Sequence, residues 1–274
     1  VSLTATYLFD LSRVRLTADT LGATATYAVV EQSAQAGFNL ADTVRGGTAL
    51  PVSSQEAQLD DYEFYADAPT HYRITSFDAS DVQQAQFTTS ITVDLAGEVW
   101  LKSVRYPLLN QVVRVSDYGD LSMAARSAAL PISGRSLPVG VGDLHGGRDH
   151  PLVVATDTPA QAAKLDLSLR AGGTWFVHVP TNPPVGRAGN ALLPGSMHVL
   201  IGAPRVVRID GVAQVQLHVL PLTEVAAPAP EVVGVTLTWE TVRRLYGSWT
   251  AVWAAHSTWR SLWDTIGDPS DVVT

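Results

Sequence analysis

Residues 70–77 read THYRITSF and residues 87–95 read FTTSITVDL. In both runs apolar or β-branched side chains alternate with polar ones, the period of an extended strand with one covered face. The pattern recurs upstream in residues 13–17 (RVRLT) and 24–31 (TATYAVVE), and Gly46-Gly47, Pro51 and Asp60-Asp61 punctuate the interval between. Short antiparallel strands at this spacing, with no helical stretch among them, predict a β-sandwich over residues 1–95.

Residues 96–225 are also β-rich, with strands expected at 111–116, 137–141, 152–155, 174–179, 196–201 and 215–220. One helix, about 158–171, interrupts them. Thr156-Asp157-Thr158-Pro159 offers a capping side chain followed by proline in the first turn, and Gly172-Gly173 closes the segment. Ala162, Leu165 and Leu169 form a stripe for packing on the sheet. This order describes a β-barrel or sandwich with a single flanking helix. Residues 226–236, opening AAPAPEV, read as an extended, semi-rigid Pro/Ala linker.

Residues 237–274 differ in composition and carry five of the seven tryptophans. Thr238-Trp239-Glu240-Thr241-Val242, Ser248-Trp249-Thr250-Ala251-Val252 and Thr258-Trp259-Arg260-Ser261-Leu262 repeat one pentad at an interval of ten. Each opens on Ser or Thr, the side chains that cap a helix start. Gly247 and Gly267 stand where helices end. The segment therefore reads as short helical turns in series, each too short to be stable alone. Their indoles are expected to bury, either on the chain's own β body or on a neighbouring subunit. Trp239, Trp249, Trp253, Trp259 and Trp263 are the candidate protein-interaction residues.

Of the 274 residues, 46% are hydrophobic and 16% charged, material for sizeable cores and too little charge for a disordered chain. A formal charge of -8 with only two lysines, Lys102 and Lys164, argues against a nucleic-acid partner. Absent cysteine excludes disulfides and thiolate metal sites. Residues 1–9 lack the features of a signal peptide, and no apolar run is long enough for a membrane helix.

The chemistry-bearing residues form no recognisable motif. His178, His198 and His218 each fall in an expected strand, where neighbours could gather around zinc, but no H-x-H or H-E-x-x-H spacing supports a site. His145 and His150 flank a Gly-Gly-Arg turn and read as solvated loop residues. Gly195-Ser196-Met197-His198 lacks the G-x-S-x-G frame of a nucleophile. Asp60, Asp61 and Glu63 read as solvated loop acids, and Asp117 and Asp120 as turn residues with too few ligands for calcium. No catalytic residue, metal site or cofactor is expected.

Residues 60–79 (DDYEFYADAPTHYRITSFDA) resemble the end of a fibronectin type III domain, where a Pro-containing loop precedes a strand with Tyr-x-Ile, here Tyr72-Arg73-Ile74. That resemblance spans about residues 10–95 and is shared with many immunoglobulin-like sandwiches. Residues 134–173 (GRSLPVGVGDLHGGRDHPLVVATDTPAQAAKLDLSLRAGG) and 219–228 (VLPLTEVAAP) resemble minor tail proteins, of the tail-tip or distal-tail type, from long-tailed actinobacteriophages. Short Trp-rich repeats are similar to the ends of such proteins.

The resemblance implies a mainly β chain: an immunoglobulin/fibronectin III-like sandwich, a tail-tube-like β-barrel or sandwich with one flanking helix, and a short helical Trp-repeat tail. It also implies a non-enzymatic structural protein of the virion tail, assembled in the host cytoplasm. Such a protein would be a homo-oligomer, hexamer or trimer, in a ring at the tail tip that joins the tail tube to the tip. Its partners would be the tail tube, tape-measure and hub proteins. The alternative expectation is a carbohydrate- or receptor-binding module on the virion surface, with Trp100, Trp175 or the repeat stacking on sugars.

Overall fold

The computed structural model describes residues 2–125, 127–143, 146–180, 195–208, 214–234, 237, 239–263 and 265–267. The protein is mainly β, with several sheets and a six-stranded barrel.

The first eight strands are β1 (Leu3–Leu8), β2 (Arg13–Ala18), β3 (Tyr27–Ser33), β4 (Asp42–Thr43), β5 (Leu50–Pro51), β6 (Ala57–Asp61), β7 (Pro69–Phe77) and β8 (Gln83–Thr92). They form two sheets, ordered β1-β2-β6 and β4-β3-β7-β8, with β5 also paired to β3. Every pairing is antiparallel. One core joins the sheets: Leu3, Val14 and Leu16 from the first meet Ala28, Val30, Tyr72 and Ile74 from the second. Strand alternation turns these residues inward, and the polar set between them faces out. The strand expected at 24–31 begins three residues later, and of that expected at 87–95 only residues 87–92 lie in a strand, which begins earlier, at Gln83.

The next unit comprises β9 (Val99–Ser103), β10 (Gln111–Tyr118), β11 (Ser122–Met123), β12 (Ser127–Leu130), β13 (Val139–Gly142), β14 (Arg148–Thr156), α1 (Pro159–Arg170), β15 (Thr174–His178), β16 (Met197–Ile201), β17 (Arg205–Arg208) and β18 (Gln216–Glu224). Six of them close a ring, β14-β10-β9-β15-β16-β18, because β18 pairs back onto β14. Short β11 and β17 extend the ends, and among the described residues β12 pairs only with β13. Leu101, Leu152, Val154, Trp175, Val177, Val199 and Leu220 fill the barrel. A reciprocal capping box starts α1: Thr158 Oγ1 accepts the Gln161 amide at 3.2 Å, and Gln161 Oε1 accepts the Thr158 amide at 3.3 Å. Of the expected helix stripe, Leu165 is buried in the barrel core and Leu169 packs against it, while Ala162 stays half-buried.

Strand β9 links the two units. All five of its residues are buried. Val99 and Leu101 point into the barrel, whereas Trp100 joins the sandwich core. The segment expected to be a linker is held against the body: Arg45 donates to the carbonyls of Pro228 (3.2 Å), Ala229 (2.7 Å) and Val232 (3.4 Å), and the Gly46 amide donates to Pro230. Gly234 lies where a Cβ would come within 2.5 Å of Pro107, so only glycine allows this approach. The extended, semi-rigid linker that was expected thus lies docked on the body, with one guanidinium collecting three of its carbonyls.

Beyond it lie α2 (Trp239–Tyr246), α3 (Trp249–Ala255) and α4 (Trp259–Trp263). Residues 268–274 of the expected tail, and Thr238 at the head of its first pentad, lie outside the described residues.

Candidate interaction surfaces

Each Trp pentad places its fifth residue inward. Val242, Val252 and Leu262 form a small core with Leu237 and Tyr246 beside it. The Ser248 hydroxyl accepts the Ala251 amide and the Thr258 hydroxyl accepts the Ser261 amide, both at 3.2 Å, so a side-chain cap starts α3 and α4. Tyr246 Oη and His256 Nε2 are 2.6 Å apart, which ties α2 to the end of α3.

The indoles go the other way. Trp239, Trp249, Trp253 and Trp259 are 66%, 54%, 58% and 52% exposed. They touch one another edge to face, with ring centroids 5.6 Å apart for Trp239–Trp249, 6.1 Å for Trp249–Trp259 and 5.9 Å for Trp253–Trp259. The expectation that these indoles bury on the chain's own β body is therefore corrected. The smaller Val and Leu side chains suffice for the tail's core, and the rings form a continuous exposed row. Trp263 belongs to α4, and its side chain lies outside the described residues.

A second exposed surface was not anticipated. The hairpin β12–β13 is exposed at every position except half-buried Val139. Leu130 and Val141 lie outward on it, and Leu121, Met123, Ile132 and Leu137 are exposed in the flanking segments. Alternation alone could not reveal this, because a hairpin that leaves the barrel has no covered face. Among the described residues, strand β17 pairs only with β18, and its other edge has no partner there.

The acids at 60–63 are not solvated. Asp60 is bound by Arg13 at 2.7 Å and by Arg15 at 2.8 Å. Asp61 is buried, accepting from the Tyr72 phenol at 2.6 Å and from the Glu63 amide at 2.8 Å. Burial pushes its carboxyl up to about 6, against the pull of those two donors. Glu63 faces Arg45 at 2.9 Å and His198 at 3.3 Å. Burial alone would raise the Glu63 carboxyl, but these two partners outweigh it and hold it at about 2. The expected loop placement is corrected: Asp60 and Asp61 end strand β6, where Arg13 and Arg15 of the neighbouring strand β2 supply the counter-charge to Asp60, and Arg45, distant in sequence, supplies that of Glu63.

The opposing barrel wall carries Lys102 and His178. Lys102 Nζ donates to the carbonyls of Ser12 (2.7 Å) and Tyr62 (2.8 Å) and lies 4.5 Å from the Phe64 ring centre. Burial lowers its ammonium well below the usual range, against the attraction of Asp61 and Glu63. His178 is buried between the Phe64 and Phe176 rings, and burial likewise lowers its pKa well below the ordinary value. His178 and His198 therefore share the barrel's outer wall. His218 instead pairs its ring with the Thr156 hydroxyl at 3.1 Å, on another side of the barrel.

Among the described residues no three His, Cys, Asp or Glu side chains come together around a metal-sized space. His150 is buried in β14 beside Tyr118, not in a solvated loop, since the strand expected at 152–155 begins four residues earlier, at Arg148. His145 lies outside the described residues. The Ser196 hydroxyl, 2.9 Å from the Val179 amide, is committed to backbone. Asp117 sits exposed at a bulge in β10, and Asp120 is exposed beyond that strand. Trp100 and Trp175 are buried in the two cores, which corrects their expected availability as sugar platforms.

A cavity of about 530 Å³ opens where the sandwich, the barrel and residues 233–234 meet. No helix among the described residues is long and apolar enough to cross a membrane. Comparison with models of known protein families and with curated proteins finds no match for this chain.

Proposed function

We propose that this chain is a structural minor tail protein of a long-tailed phage, forming or decorating an oligomeric ring at the tail tip and joining tail tube to tip. The observation that carries the reading is the hairpin β12–β13. An isolated two-stranded hairpin is at best marginally stable in water. This one also presents Leu130 and Val141 to solvent although two closed cores are available in the same chain. Such an arm gains stability when a neighbouring subunit covers it. The edge of β17 that has no partner among the described residues, and the exposed indole row, are further surfaces of the same kind.

Two coarser features support the resemblance. The facing sheets β1-β2-β6 and β4-β3-β7-β8 agree with a fibronectin type III-like strand order. A closed barrel with one flanking helix agrees with a ring-forming tail domain. On this reading the protein performs no catalysis and needs no cofactor. It assembles as a hexamer or trimer in the host cytoplasm and meets tube, tape-measure and hub proteins in the virion.

The mass of the full chain in solution, by light scattering over a range of concentrations, tests the reading. A discrete species of three or more copies is expected. The exposed indoles favour one second reading, a carbohydrate- or receptor-binding module. A chain that stays monomeric at every concentration, with indole fluorescence that responds to cell-wall sugars, would replace the assembly reading by that one.

A further inference from the structure

The hairpin that joins β5 to β6 opens after a single bonded pair. The amides of Ser53 and Glu56 each donate to the other's carbonyl, at 3.0 and 2.9 Å. Beyond them the two strands part. Leu50 and Pro51 pair with Ala28 and Tyr27 of β3, whereas β6 pairs with β2 in the other sheet. Among the described residues β2 is the one strand paired with β6, so the second edge of β6 is open. Pro51 has no amide to donate across the gap.

The junction cavity of about 530 Å³ lies in that gap, with Leu50 and Pro51 on the β5 side and Gln58, Leu59 and Asp60 on the β6 side. The last three are consecutive, so their side chains leave alternate faces of the strand. A cavity that all three line runs along the edge of β6 and not beneath one of its faces. Val104 and Phe176 of the barrel, with Val233 beyond it, make the remaining walls apolar. The charges beside them are compensated: Arg15 holds Asp60 at 2.8 Å, and Arg45 holds Glu63 at 2.9 Å. A charged guest would shed its hydration here with no counter-charge to replace it. An open strand edge, in turn, is matched along its length by another extended backbone, and pockets beside it take that backbone's side chains. Five residues of β6 give an edge roughly 17 Å long.

We propose that the opening between β5 and β6 accepts an extended, uncharged peptide strand of a partner protein, which adds to the open edge of β6 and buries its side chains in the junction cavity. The guest becomes the fourth strand of the sheet β1-β2-β6. Main-chain hydrogen bonds supply its affinity, and the apolar walls select β-branched or aliphatic side chains over charged ones. The inference goes beyond the assembly reading and does not depend on it, since the site lies within one protomer and is separate from the β12–β13 arm.

Fluorescence anisotropy on the full chain tests it, with two five-residue probes, Val-Thr-Val-Thr-Val and Leu-Thr-Leu-Thr-Leu, each carrying fluorescein on a Gly-Ser extension. At least one should bind saturably. Methylating alternate amides of the bound probe keeps its apolar surface and removes the donors on one edge, and methylation on the edge that faces β6 should weaken binding roughly tenfold or more. Val233→Lys places a charge in the cavity wall at a position 52% exposed, where the fold tolerates it, and should weaken the probe by a similar factor. Methylated probes that bind as well as the parent would show that the cavity takes apolar surface without strand pairing, and would overturn the proposal. No saturable binding of either parent probe up to about millimolar concentration would overturn it as well. A wild-type assembly that dissociates as a probe binds would put a second copy in the opening and overturn the assignment to a partner protein. A monomeric chain that binds the probe through its amides would leave this inference standing while the ring reading falls.

Discussion

The Tyr72 phenol donates a 2.6 Å hydrogen bond to Asp61 Oδ2, and both residues are sealed from solvent beneath the sandwich–barrel junction. Burial dominates the carboxyl, which titrates at about 6 in the folded protein instead of its ordinary 3.8. A folded pKa above the unfolded one means that the native state binds the proton more tightly. The stability this provides is full below about pH 3.8 and is lost as pH rises through about 6. Glu63 works in the opposite direction, its contribution present above the unfolded value of 4.5 and lost only as pH falls through about 2.

Asp61→Asn should therefore change how stability depends on pH. Between pH 4 and 7 the wild type should lose on the order of 1–3 kcal/mol from this group as pH rises, and the variant should lose none of it. Urea midpoints at several pH values give the comparison. Parallel curves for the two proteins would show that Asp61 does not titrate in this window.

Lys102 ties β9 of the barrel to the carbonyls of Ser12 and Tyr62 in the sandwich. Lys102→Met keeps the length of the side chain and removes both donors, leaving two buried acceptors unsatisfied. The expected cost is about 1–3 kcal/mol, with the single unfolding transition separating into two as the units uncouple. Calorimetry reads both effects.

At the start of α1, Thr158 and Gln161 satisfy each other's amides. Thr158→Ala removes one arm of that box and should cost about 1 kcal/mol. Thr158→Ser should restore most of it in the same denaturation experiment.

How far the fold could be read from sequence followed from how many faces of each strand are covered. Strands β7 and β8 have one covered face, so THYRITSF and the run at 87–95 alternate visibly. Strand β9, VWLKS, is covered on both sides, by the barrel core and by the sandwich, and its alternation disappears. Short β4, β5, β11 and β17 are held by their neighbours and leave too few residues to show a period. The acids at 60–63 looked solvated because their partners Arg13, Arg15 and Arg45 are distant in sequence. The tryptophan spacing was visible, but exposure was not, since large rings on a surface break no rule of sequence patterning.

For the hairpin, Leu130→Lys with Val141→Lys places two charges on a surface that touches no core. The monomer should keep its stability within about 0.5 kcal/mol, while self-association weakens by roughly tenfold or more because the charges must be desolvated in the covered state. Sedimentation equilibrium and thermal denaturation of the double variant separate the two quantities. Unchanged association would remove the arm from the interface.

Electron microscopy of the full chain at the concentration where it associates tests the central claim most directly. Class averages should show closed rings of a single symmetry, with the hairpin of each subunit covered by its neighbour. Isolated particles of one chain's size, with the hairpin and the indole row both facing solvent, would contradict it.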